Sequence, residues 1–72
     1  MKIIVFGATG GTGIQLVKQA LEKGYEVTAF VRELGRLKIH HDNLCEIKGN
    51  VLDLSTVEEA IKGHDAVLCA LG

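Results

Sequence analysis

Residues 2–13 read Lys2-Ile3-Ile4-Val5-Phe6-Gly7-Ala8-Thr9-Gly10-Gly11-Thr12-Gly13, and this dozen decides the fold. Apolar residues run without alternation from Ile3 to Phe6, the pattern of a strand, Lys2 to Phe6, buried on both faces, and Gly7 ends it. Beyond the glycines, Thr12 to Lys23 carry apolar residues at helical spacing. Ile14, Val17 and Leu21 form the stripe with Leu16 and Ala20 beside them, while Gln15, Lys18, Gln19, Glu22 and Lys23 take the wet side. Gly24 stands where a left-handed helix cap is wanted. The dozen therefore predicts a strand, a glycine turn and the start of an amphipathic helix.

Working outward, Tyr25 to Val31 reads as a second strand and Leu44 to Lys48 as a third, both rich in strong β formers. The stretch between them, Arg32 to Asn43, is polar and basic, with one helical turn expected around Leu34 to Lys38. Ser55-Thr56-Val57-Glu58 matches a capping box, which predicts a helix from Thr56 to Lys62 that buries Val57, Ala60 and Ile61 and closes at Gly63. Asp65 to Leu71 completes the pattern as a fourth strand. Strands alternating with helices imply right-handed crossovers and a parallel sheet. The expected fold is α/β: a Rossmann-like, doubly wound sheet of order 3-2-1-4 with helices on both faces.

Composition narrows the function. The chain has 72 residues, enough for one domain or part of one. It is 47% apolar and 24% charged, with a mean hydropathy of +0.25, which excludes a solvated disordered segment. Its net charge is −1 and its basic residues are scattered, so nucleic acid and membrane surfaces are not expected partners. No apolar run approaches the roughly 20 residues of a membrane span, and glycine arrives too early for a signal peptide, so the expected compartment is the cytoplasm. Cys45 and Cys69 lie in apolar, strand-like stretches and read as reduced, partly buried small hydrophobes. His40 and His41 read as residues of a polar loop, which with Cys45 nearby make no metal centre, and His64 reads as an exposed turn residue; no metal is expected.

The glycine turn has the form G-x-x-G-x-x-G between a strand and a helix. A phosphate reaches amides at a helix N-terminus only where no Cβ intrudes, and the helix dipole favours an anion there. Thr9 and Thr12 offer hydroxyl donors, and the absence of a lysine after Gly13 excludes a Walker A loop. Glycines serving turn geometry alone are the plainer reading. The end of the second strand bears on the choice of dinucleotide. A carboxylate there suits the ribose hydroxyl of NAD, whereas arginine suits the 2′-phosphate of NADP. Here the strand ends Val31-Arg32, with Arg36 four residues on, which favours NADP over NAD. Glu33 dissents, as it can face a ribose hydroxyl.

The stretches IIVFGATGGTG, GYEVTAFVRELGRL, IKGNVLD and DAVLCALG together resemble the N-terminal half of the atypical short-chain dehydrogenases. The likeness is to the NAD(P)H-binding group that includes flavin reductase/biliverdin-IXβ reductase. The resemblance implies that Gly7, Thr9, Gly10, Gly11, Thr12 and Gly13 cradle the pyrophosphate, that Arg32 and Arg36 hold the 2′-phosphate, and that Leu71 and Gly72 run beneath the ribose. Where the family has an aspartate for the adenine amino group, this chain has Asn50, which keeps an acceptor oxygen, followed by Val51 against the adenine face. Asp53 reads as a turn or helix-entry residue.

The implied function is the NADPH-binding part of an oxidoreductase that passes hydride to a flavin-like or other small acceptor. The alternative is an NADP(H)-sensing module without turnover. No catalytic residue is nominated: Tyr25, the only tyrosine, is followed by Ala29 where a Tyr-x-x-x-Lys pair needs lysine, and Ser55 is taken as a cap. Residues 1–72 are expected to form part of one NAD(P)-binding domain, and the resemblance together with domain-size expectation implies a chain of about 200 residues. The fourth strand is expected to be left as an apolar edge prone to self-association.

Overall fold

Ile3, Ile4, Val5 and Phe6 are each no more than 5% exposed, so the first strand is buried on both faces as its unbroken apolar run requires. A computed structural model describes residues 1–8 and 10–70. In it β1 (Lys2–Phe6) pairs in parallel with β2 (Glu26–Val31), from Lys2↔Glu26 to Phe6↔Phe30. On its other side β1 pairs with β4 (Ala66–Cys69), from Ile3↔Ala66 to Phe6↔Cys69. β3 (Leu44–Lys48) lies outside β2, from Val27↔Leu44 to Val31↔Lys48. The sheet order is β3-β2-β1-β4, the doubly wound order expected from the alternation of elements.

Two helices cover the two faces. α1 (Gly11–Glu22) buries Val17, Ala20 and Leu21 against Ile3, Val5, Val27, Ala29 and Val31. α2 (Leu54–Ile61) brings Ala60 to Ile4, Phe6 and Phe30, with Val57, Val51 and Ile47 packed around them. The rings of Phe6 and Phe30 meet at 4.8 Å between centroids, an ordinary distance for a tilted aromatic pair. Among the described residues no helix is long and apolar enough to cross a membrane.

Four local expectations are corrected. Ser55 is not the cap of α2. It lies within the first turn, and Asp53 is the capping residue, its carboxylate accepting the Thr56 N–H at 3.3 Å. A carboxylate there satisfies a free amide and places negative charge at the positive end of the helix dipole. Leu34 to Lys38 form no helical turn, because Gly35 and Lys38 both take left-handed backbone angles (φ 85° and 55°) that break one. What the segment contributes instead is Leu37, 4% exposed in the core beneath α1.

Cys45 and Cys69 are exposed rather than partly buried. They lie on the two edge strands, and α2 buries only Ala60, so it covers the middle of the sheet and leaves its margins bare. His64 is half-buried rather than exposed. It folds back across the amino ends of the strands, its Nε2 2.8 Å from the Thr28 hydroxyl.

The reassigned cap is testable by equilibrium unfolding. Asp53→Ala is expected to cost about 0.5–2 kcal/mol, the usual range for losing a helix cap, and Ser55→Ala almost nothing. The opposite ranking would return the cap to Ser55.

Candidate functional site

The glycine turn leaves β1 with Gly7 in the left-handed region (φ 75°), a conformation that side chains resist. The Gly10 N–H closes the turn on the Gly7 carbonyl at 3.2 Å, and the Ile14 N–H begins the helix on the Gly10 carbonyl at 2.9 Å. Gly13 is buried where α1 leans on the turn. A Cβ there would collide with the Gly7 carbonyl and sit 2.8 Å from the Ala8 Cα.

Gly10 and Gly11 are different. A Cβ on Gly10 would meet only the Gly7 carbonyl at 3.6 Å, an ordinary contact, and a Cβ on Gly11 would meet nothing within 4 Å. Packing within the chain thus accounts for glycine at 7 and 13 and leaves 10 and 11 without an internal reason. Gly10, the N-cap residue of α1, offers no side chain to the amides of the first turn, and no side-chain cap bond is made. Those amides point outward with the positive end of the helix dipole.

Beside this turn, at the carboxyl ends of β1, β2 and β3, lies a cleft of 780 Å³. Gly7, Arg32, Arg36, Asn50 and Val51, five of the residues singled out from sequence, line it together. Gly10, Gly11, Thr12 and Gly13 adjoin it at the head of α1 without lining it. Thr9, Leu71 and Gly72 fall outside the described residues.

Phe30, Gly49 and Leu52 also line the cleft and were not singled out from sequence. Gly49 carried a readable signal as a glycine directly after a strand. A Cβ there would stand 2.5 Å from the Phe30 ring and 2.9 Å from the Thr56 methyl, so the cleft floor depends on its absence. Leu52, 85% exposed, is an apolar side chain held in solvent at the rim.

The polar groups have definite partners. Arg36 donates through Nη1 to Glu33 Oε2 at 3.2 Å, an exposed ion pair worth about 0.2–1 kcal/mol and so easily exchanged for another anion. Asn50 Oδ1 accepts the Leu52 N–H at 2.9 Å, and the Asn50 carbonyl accepts the Asp53 N–H at 2.9 Å. The oxygen expected to face a base amino group is therefore already shaping the turn, with one lone pair and the amide donors left over. Asp53 caps α2 and takes no part in the cleft, in line with the sequence reading. Among the described residues no three His, Cys, Asp or Glu side chains gather as a metal site.

A parallel sheet of order β3-β2-β1-β4, with a glycine turn entering α1 from the carboxyl end of β1, defines a Rossmann-like α/β fold of the dinucleotide-binding kind. The chain belongs to the NAD(P)H-binding family, whose profile matches residues 7–72. It is 38% identical over all 72 residues to the Bacillus subtilis (strain 168) protein YwnB, covering 32% of that protein. Among solved structures, a candidate epimerase from Bacteroides thetaiotaomicron superposes with a TM-score of 0.92 at 42% identity, over 99% of this chain and 33% of that one. A candidate NADH-flavin reductase from Streptococcus pneumoniae TIGR4 superposes at 0.78 with 34% identity, over 100% and 31%. The chain thus spans about a third of the length of these relatives.

The division among the glycines predicts their substitutions. Gly13→Ala should lower stability by about 1–3 kcal/mol, as overpacking does. Gly11→Ala should leave it unchanged or raise it by about 0.4–1 kcal/mol through the unfolded chain. Thermal melts of the two variants check this, and equal losses would contradict the division.

Proposed function

We propose that residues 1–72 form part of an NAD(P)-binding domain that takes NADPH in preference to NADH. The observation that carries this reading is the pair of open glycines, Gly10 and Gly11, at an uncapped helix start beside the cleft that holds Arg32 and Arg36. The chain needs no glycine at either position for its own packing, and a pyrophosphate approaching the helix amides does. Gly7, Thr9, Gly10, Gly11, Thr12 and Gly13 would hold the pyrophosphate. Arg32 and Arg36 would hold the 2′-phosphate through charge-assisted hydrogen bonds, with Arg36 leaving Glu33 for the stronger anion. Asn50 and Val51 would border the adenine, with the Asn50 amide rather than its oxygen as the more available group. Leu71 and Gly72 would run beneath the ribose.

In the whole protein the reading is an oxidoreductase resembling flavin and biliverdin-IXβ reductases, acting in the cytoplasm, in keeping with two free cysteines. When bound, the cofactor supplies hydride from its nicotinamide to a flavin-like or other small acceptor. The contribution of these residues is to bind and orient it. A dinucleotide-sensing module without turnover is the second reading, favoured by the charged groups of the cleft, Arg32, Glu33 and Arg36, all of which suit binding. The margin at β4, with Val67 46% exposed, is read as a surface through which this piece associates with itself. Sedimentation that stays monomeric at rising concentration would exclude that.

Arg32→Glu is expected to weaken NADPH binding about 30- to 150-fold, the equivalent of about 2–3 kcal/mol, while leaving NADH little changed. Equal loss for both dinucleotides in a titration would remove the 2′-phosphate assignment. Gly10→Val should weaken both, because a side chain there blocks the pyrophosphate itself. NADPH oxidation by the full-length protein in the presence of flavin separates the two functional readings, since a sensor binds the cofactor without acceptor-dependent turnover.

A further inference from the structure

Glu46 is out of place by the logic of the sheet. Leu44, Glu46 and Lys48 pair with Val27, Ala29 and Val31, three residues of the core beneath α1, so the alternation asks for an apolar side chain at 46. The sequence supplies a carboxylate, half-buried, and its partner explains it: Oε2 accepts the Gly35 N–H at 3.0 Å. Gly35 sits at φ 85° in the irregular stretch after β2, directly before Arg36.

Three contacts therefore hold this segment. Leu37 is buried under α1, Glu33 holds the Arg36 guanidinium, and Glu46 holds the backbone one residue before it. Glu33 is 67% exposed and must release Arg36 to any incoming anion, and Leu37 fixes only the far side. Among the described residues, the hydrogen bond from Gly35 to Glu46 is the polar contact that keeps Arg36 at the cleft mouth when its own ion pair opens.

We propose that Glu46 is a positioning residue for dinucleotide selection, fixing the backbone at Gly35 so that Arg36 stays beside Arg32 for a 2′-phosphate. The proposal rests on the NADPH reading above. Preorganisation of this kind removes an ordering cost from the binding of one ligand only, the one that uses Arg36.

The test compares NADPH and NADH titrations of the full-length protein and its Glu46→Ala, Glu46→Gln and Arg36→Ala variants, with melts to confirm folding. Glu46→Ala should weaken NADPH about two- to tenfold and leave NADH unchanged, whereas Glu46→Gln, which keeps an acceptor oxygen, should retain the preference. Loss of both dinucleotides in parallel, loss of neither, or a Gln variant as weak as the Ala variant would overturn the proposal. If Arg36→Ala itself fails to lower the NADPH to NADH ratio, the 2′-phosphate role of Arg36 falls and the proposal with it, whereas Arg32→Glu decides the wider reading. If Arg36→Ala is selective and Glu46→Ala is not, only the role of Glu46 falls. Should Glu46→Ala not fold, amide exchange in the unsubstituted protein decides: the Gly35 N–H must be protected, and free exchange there would overturn the tether.

Discussion

At Gly13 helix α1 approaches the Gly7 carbonyl too closely for any side chain, and much else follows from that approach. Because neither residue carries a side chain, α1 descends onto the end of β1 closely enough for Val17, Ala20 and Leu21 to reach the strand residues below. The same approach aims the first turn of α1 past the sheet. The helix dipole and the amides of Gly11, Thr12 and Gly13 then open beside the cleft rather than against the protein.

Around that fixed turn the site is built from weaker, exchangeable pieces. Arg32, Glu33 and Arg36 follow β2 and Gly49 to Leu52 follow β3, so neighbouring strand ends deliver them to one place by register alone. The electrostatics are those of an exposed rim, where an ion pair such as Glu33 with Arg36 holds a side chain near its place at little energetic depth. A close-packed helix start and an adaptable rim suit a ligand with a constant diphosphate and a variable substituent.

Most of the architecture was legible in the sequence, for reasons that can be stated. β1 announced itself by four apolar residues without alternation, α1 by its apolar spacing, and the order β3-β2-β1-β4 by short connections between alternating elements. The errors share one cause, which is that local pattern carries no information on what lies opposite. Ser55 fits a capping box as well as Asp53 fits a cap, and only the path of the turn out of Asn50 selects between them. Cys69 lies in an apolar run and is nevertheless exposed, because α2 is two turns long and stops short of the sheet margin. Leu37 and Glu46 escaped notice because their partners lie across the sheet rather than along the chain. Asn50 was read as an adenine contact through its acceptor oxygen, and the bond of that oxygen to Leu52 belongs to turn geometry that no spacing reveals.

The two faces of the sheet are unequal. Among the described residues the α1 side holds ten buried apolar residues, three of them on α1 itself, and the α2 side four, Ala60 of α2 included, with Phe6 and Phe30 supplying most of the smaller cluster. Local opening follows buried apolar contact, so the α2 side is expected to open before the α1 side. Of the cleft's lining, the stretch from Gly49 to Leu52, next to that thinner layer, is the part expected to yield first around a ligand.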